Sequence, residues 1–173
     1  MSVSETMVRM GELAASSASG HVLVSVGLGS CIGLALMDRR LGVAGLAHVV
    51  LPQSQGAAPD NPRKFADVAV PELISELETL GRVGGRRLRL EAVLVGGASM
   101  FAISSASLDV GQRNETAVRA LLETMRIPVV AAATGGNRGR TIRVDVATAG
   151  VTVREAGGKD TELLAGTRVL EAV

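Results

Sequence analysis

The chain is short of the side chains that most chemistry needs. In 173 residues it has one cysteine, two histidines, no tryptophan and no tyrosine. A single cysteine, Cys31, excludes an internal disulfide and fits a reducing compartment, so the expected location is cytoplasmic. His21 and His48 stand in no recognised ligand spacing, and with Cys31 they make a poor donor set, so no metal is expected. The formal net charge of +1 makes no electrostatic case for nucleic acid. Arg86, Arg87 and Arg89 cluster without aromatic partners and read as a solvated strand edge. No apolar run reaches the ~20 residues of a membrane span. The N-terminus carries Glu5 and Glu12 and no basic opening, so it does not read as a secretory signal.

Small aliphatic residues make up the difference. Apolar residues are 47% of the chain, and 21 glycines supply turns and close backbone approaches. The length fits one domain over 1–173, with 1–10 the expected place for disorder. Residues 1–20 are ambiguous: Met7, Met10 and Leu13 share a helical face, but Gly11 and the stretch 16–20 read as turns. Residues 21–26 alternate, with Val22, Val24 and Val26 on one face and His21, Leu23 and Ser25 on the other. Residues 31–37 are apolar throughout, as in a buried strand. A polar turn, Asp38-Arg39-Arg40, leads into a return strand over 42–50. After a loop over 52–62, helical spacing runs over 64–80, with Pro71 as a kink or a restart and Gly81 as the stop. A strand over 88–95, a helix over 112–125 and strands over 127–133, 141–147 and 151–155 follow. A last short strand is expected within 163–173. Seven or eight strands and two helices predict an α+β fold, a layered α/β sandwich of mostly antiparallel strands.

Gly27-Leu28-Gly29 invites a dinucleotide reading, but position 32 is Ile32, Gly33 comes one late, and no helix fits before Asp38. Cys31, just after this turn, has two readings. An inert buried thiol is common in apolar strands. A nucleophile would gain from the glycines, which let backbone N–H groups at Gly29 and Ser30 converge on an oxyanion and lower the thiol pKa. A lone histidine between Ala47 and Val49 is more often a satisfied core residue. Beside Cys31, His48 becomes the base a thiol needs, and Ser25 can orient its ring. His21 reads as a surface residue. Met100 and Phe101 are either a core plug after a strand or an exposed patch for a partner.

The run Val24-Ser25-Val26-Gly27-Leu28-Gly29-Ser30-Cys31, followed by Gly45-Leu46-Ala47-His48-Val49-Val50-Leu51-Pro52, resembles the chemoreceptor glutamine deamidase family, CheD. Lys64-Phe65-Ala66-Asp67, Gly96-Gly97-Ala98-Ser99-Met100-Phe101, Gly111-Gln112-Arg113-Asn114 and Thr134-Gly135-Gly136-Asn137-Arg138-Gly139-Arg140 continue the pattern in order. The resemblance implies a fold similar to toxin-type cysteine deamidases. It also implies conversion of selected glutamines of methyl-accepting chemotaxis receptors to glutamates, with receptor methyl-ester hydrolysis in some members. The family's nucleophile falls on Cys31 and its base on His48. Its third residue, usually Thr, is Ser25 here. No cofactor is implied. The implied partners are the receptors, which provide the only link to a membrane, and a CheC-type phosphatase. A non-catalytic adaptor that stimulates such a phosphatase, and a cysteine protease or transglutaminase, are the competing readings.

Overall fold

A computed structural model describes residues 2–54, 60–81, 85, 87–100 and 109–167. Its described residues form ten strands and two α-helices. The strands are β1 (Ser4–Met7), β2 (Leu13–Ser16), β3 (His21–Leu28), β4 (Ile32–Asp38), β5 (Val43–Val49), β6 (Glu91–Gly96), β7 (Val129–Thr134), β8 (Arg140–Asp145), β9 (Val151–Glu155) and β10 (Thr161–Leu164). The helices are α1 (Ala66–Gly81) and α2 (Asp109–Thr124), and a 3₁₀ turn at Pro62–Lys64 precedes α1.

The strands divide into two sheets, ordered β1-β3-β8-β9-β10 and β2-β5-β4-β6-β7. Six of the eight pairings are antiparallel, while β1 with β3 and β6 with β7 run parallel. The second sheet is the middle layer, with every residue of β4 and β5 buried. Alternation explains why. Ile32, Leu34, Leu36, Val43, Ala47 and Val49 face α1 and α2. Cys31, Ala35, Met37, Ala44 and Leu46 face the other sheet, against Leu23, Leu28, Ile142 and Val144. The α+β layered fold read from the sequence is the fold observed.

The differences are local. Residues 1–20 hold two strands and no helix: β1 joins β3, and β2 joins β5. Pro71 lies inside α1 and on its exposed side, so its missing N–H is not a buried loss. The last strand ends at Leu164, and residues 168–173 lie outside the described residues. The valine face of β3 opens to solvent only toward the bulge, since Val24 is buried and Val22 half-buried. Val26 is 52% exposed, while Leu23 and Ser25 are fully buried. A polar side chain therefore takes an interior position that a valine could have filled.

Candidate functional site

The site begins with a break in pairing. The β3–β8 register shifts between Ser25 and Leu28, and Gly27 takes φ +72° there. The bulge returns Leu28 to the interior, where its Cδ1 would lie 2.7 Å from a Cβ on Gly33. Gly33 is thus bare because the facing sheet fills its place. It is also the residue paired with His48 across β4 and β5. Cys31 stands two residues before Gly33, on the same face, one diagonal step from His48. Register therefore puts the thiol and the imidazole on the same face of the middle sheet, with no hydrogen bond joining them.

His48 is buried, and its two ring nitrogens differ. Nδ1 lies 2.8 Å from Ser25 Oγ. The Ser25 hydroxyl donates to the Val8 carbonyl at 2.7 Å, which uses its only proton. Nδ1–H must therefore donate to Ser25, and Nε2 keeps its lone pair. Nε2 has no hydrogen-bond partner. The backbone of His48 is pinned as well: its N–H donates to Glu12 and its carbonyl accepts from Gly11, both at 3.0 Å. Val8 was not legible as part of the site, because a carbonyl carries no side-chain signature.

Both ionisable partners are pushed toward neutrality. Burial raises the Cys31 thiol, and its own backbone N–H offsets this only in part. Burial lowers the His48 imidazolium, against the Val8 carbonyl and the charge of Glu12. The lowered thiol pKa expected from the glycine turn is therefore reversed: the loop donates, but desolvation is larger. Cys31 is 7% exposed, close to the surface at the start of β4.

Three consecutive carbonyls of the turn are each held by a donor. Ala98 N–H donates to the Gly29 carbonyl at 2.8 Å, and Gly97 N–H donates to the Cys31 carbonyl at 2.9 Å. Between them, Asn114 Nδ2 donates to the Ser30 carbonyl at 2.9 Å and to the Val50 carbonyl at the same distance. Gly96 leaves no room for a Cβ against the Cys31 carbonyl, and it takes φ +117°. Arg140, also buried, donates to the carbonyls of Gly96 and Gly135 at 3.3 and 2.7 Å, and so ties the Thr134-Gly135-Gly136 turn to the same block. Sequence reasoning quoted Asn114 and Arg140 within motifs but gave neither a role.

The remaining sequence-named residues divide. Gly29 N–H folds back on the Gly27 carbonyl at 3.0 Å, so Gly29 is not a free oxyanion donor. No backbone partner for Ser30 N–H occurs among the described residues. Met100 is 44% exposed and is no core plug. A Cβ on Gly29 would come 2.9 Å from its Cγ, so Met100 roofs the turn. Phe101 lies outside the described residues. His21 is not a free surface side chain: Nε2 meets Thr6 Oγ1 at 2.8 Å and Nδ1 meets Ser16 Oγ at 2.7 Å. Among the described residues, no three His, Cys, Asp or Glu converge as a metal site would need, and no helix is long and apolar enough to cross a membrane. A groove of about 1020 Å³ between α1, Arg87–Glu91 and Met125–Pro128 lies at the opposite end of the middle sheet from Cys31.

Comparison with known proteins agrees with the motif order. Residues 50–155 match the family model for CheD, chemotactic sensory transduction. A Clostridium kluyveri protein named as a probable chemoreceptor glutamine deamidase CheD is 47% identical over 145 residues, 82% of this chain and 88% of the relative. A Clostridium botulinum protein of the same name is 42% identical over 160 residues, 91% of this chain and 96% of the relative. A solved Neisseria meningitidis structure is 8% identical, with a TM-score of 0.45 over 78% of this chain and 63% of that one, a likeness too low to bear on function.

Proposed function

The chain belongs to the CheD family, and from that premise we propose that it hydrolyses glutamine side chains of methyl-accepting chemotaxis receptors to glutamates, with Cys31 as nucleophile and His48 as base. Residues 1–173 act as one domain. The observation that carries the reading is the asymmetry of His48. One ring nitrogen is committed to Ser25, while the other is buried, unpartnered and on the face of Cys31.

The resting pair is neutral. As Cys31 Sγ attacks the carboxamide carbon, His48 Nε2 takes the thiol proton. The carbonyl oxygen gains the negative charge and is met by N–H groups at Ser30 and Cys31. The imidazolium then gives its proton to the leaving nitrogen, ammonia departs, and a thioester remains. Water attacks the thioester as His48 Nε2 takes its proton. Glutamate leaves, and the thiolate recovers the proton. Ser25 holds the ring in the one tautomer that leaves Nε2 basic, and it stabilises the imidazolium by accepting from Nδ1. A receptor methyl ester would enter the same steps with methanol leaving.

A CheC-type phosphatase is the second partner, with exposed Met100 beside the turn as its first contact. An adaptor without catalysis has no use for a free, buried imidazole nitrogen, which favours the enzyme. Incubation with a receptor cytoplasmic fragment is expected to release ammonia in step with new carboxylates. Absence of ammonia overturns the deamidase reading, and methanol release from a methylated fragment tests the ester arm.

A further inference from the structure

Asn114 is a buried polar residue in this region that the mechanism above does not use. It is fully buried on α2 and neutral, and it spends its amide on two backbone carbonyls, Ser30 and Val50. Both positions matter. Ser30 precedes the thiol, and Val50 follows His48 by two residues. A peptide unit is planar, and its carbonyl and N–H point in opposite directions. Holding the Ser30 carbonyl toward α2 therefore turns the Cys31 N–H away from α2. Ala98 does the same for the preceding unit through the Gly29 carbonyl, which turns the Ser30 N–H.

The elements that carry the two clamps pack on each other. Gly111, one helical turn before Asn114, packs so closely on the Gly97 and Ala98 carbonyls that a Cβ there would lie 2.6 Å from each. The Cys31 carbonyl is fixed separately by Gly97. The backbone N–H of Cys31 also stabilises its own thiolate form, as it would when it faces the sulfur.

We propose that Asn114 is a positioning residue: by gripping the Ser30 carbonyl it aims the Cys31 N–H at the oxygen of the carbon under attack and holds that turn to the end of the histidine strand. This rests on the deamidase reading, but the contact is a property of the turn and has its own readouts. Attack on a carbonyl needs the aimed N–H. Alkylation of the same thiol by iodoacetamide creates no oxyanion and does not.

The test uses the full chain with Asn114→Ala, Asn114→Asp and Asn114→Ser. Three quantities are read: kcat and KM on a receptor cytoplasmic fragment, the rate of Cys31 alkylation at neutral pH, and the dissociation constant of a peptide carrying glutamate γ-semialdehyde. That aldehyde adds the thiol across its C=O bond, sulfur to carbon and proton to oxygen, and uses the same N–H without turnover. The Ala and Asp variants are expected to lose about 100-fold in kcat, on the scale of an ångström of misalignment. KM and the alkylation rate should stay within about twofold, and aldehyde binding should weaken about 10-fold or more. Serine, which keeps one donor, is expected to recover part of the loss. Unchanged kcat and aldehyde affinity overturn the proposal. So does a parallel fall of alkylation with kcat, or loss of the folded state in all three variants, because each makes Asn114 merely structural. If the wild type releases no ammonia, the deamidase reading fails instead, and the aldehyde and alkylation arms still decide Asn114.

Discussion

The two ends of the sandwich bury polar groups in opposite ways. At one end Asp38 is almost fully enclosed, and every donor it needs is in place. The N–H groups of Arg40, Leu41 and Arg89 and the Arg40 guanidinium all reach its carboxylate, at 2.8 to 3.3 Å. Burial alone would raise that carboxyl, but these donors outweigh it and hold it below its usual range. His21, at the same end, has a partner on each ring nitrogen. At the other end, among the described residues, lie all three buried polar atoms without a partner: His48 Nε2, Ser99 Oγ and Asn114 Oδ1. Unmet hydrogen-bonding capacity in an interior is costly and uncommon. Its concentration around Cys31 separates the end built for stability from the end built for chemistry.

Mutations should separate the ends in the same way. The largest contrast is between the histidines. His48→Gln should cost about 10³-fold or more in deamidation, the scale of a lost general base. His21→Gln should leave kcat within about twofold and cost about 1 kcal/mol in urea unfolding. Equal losses of activity would erase the distinction. Ser25→Ala should slow deamidation about 10-fold to 100-fold, a loss of about 1.4 to 2.7 kcal/mol in barrier. Ser25→Thr should keep the activity, since the hydroxyl remains; if the alanine variant is as fast as wild type, Ser25 does not orient the ring. Asp38→Asn should cost about 2–3 kcal/mol in stability, because buried donors lose a charged acceptor. Its kcat should stay within about twofold, and a large fall would mean that the ends are coupled.

The smallest effect is on pH dependence. The His48 pKa is lowered by folding, so the unfolded chain takes up that proton first. Stability from this group is complete above the ordinary value of about 6.5 and falls as pH drops below it. The Cys31 pKa is raised, so the unfolded chain ionises first and stability falls as pH climbs past the ordinary thiol range. Thermal unfolding should therefore show a plateau between the two. The acid limb of kcat/KM should lie below the ordinary histidine value, because only neutral His48 accepts the thiol proton. An acid limb set by an ionised thiol near pH 4 would instead favour a preformed ion pair.

The centre of the middle layer was legible because it is apolar on both faces: the continuous apolar run before Asp38 and its return strand became β4 and β5. Cys31, His48 and Ser25 were legible as candidates from residue type and motif order. The first 20 residues were not. β1 is nearly all exposed, so no period marks it, and only its parallel pairing with β3 orders it. Nor was the exposure of Val26, which looks like core until the bulge at Gly27 is seen. Asn114 and Arg140 act on backbone carbonyls, and an asparagine or arginine in an amphipathic segment reads as solvated surface until its neighbours in space are known.

The account depends on sulfur at position 31 forming the bond to the substrate. Peptide-level mass spectrometry of a receptor cytoplasmic fragment, incubated with wild-type protein or with Cys31→Ala, tests this most directly. The account predicts specific glutamines converted to glutamates by the wild type, and none converted above background by a Cys31→Ala protein that unfolds at a similar temperature. Conversion at the same sites by that variant would contradict it.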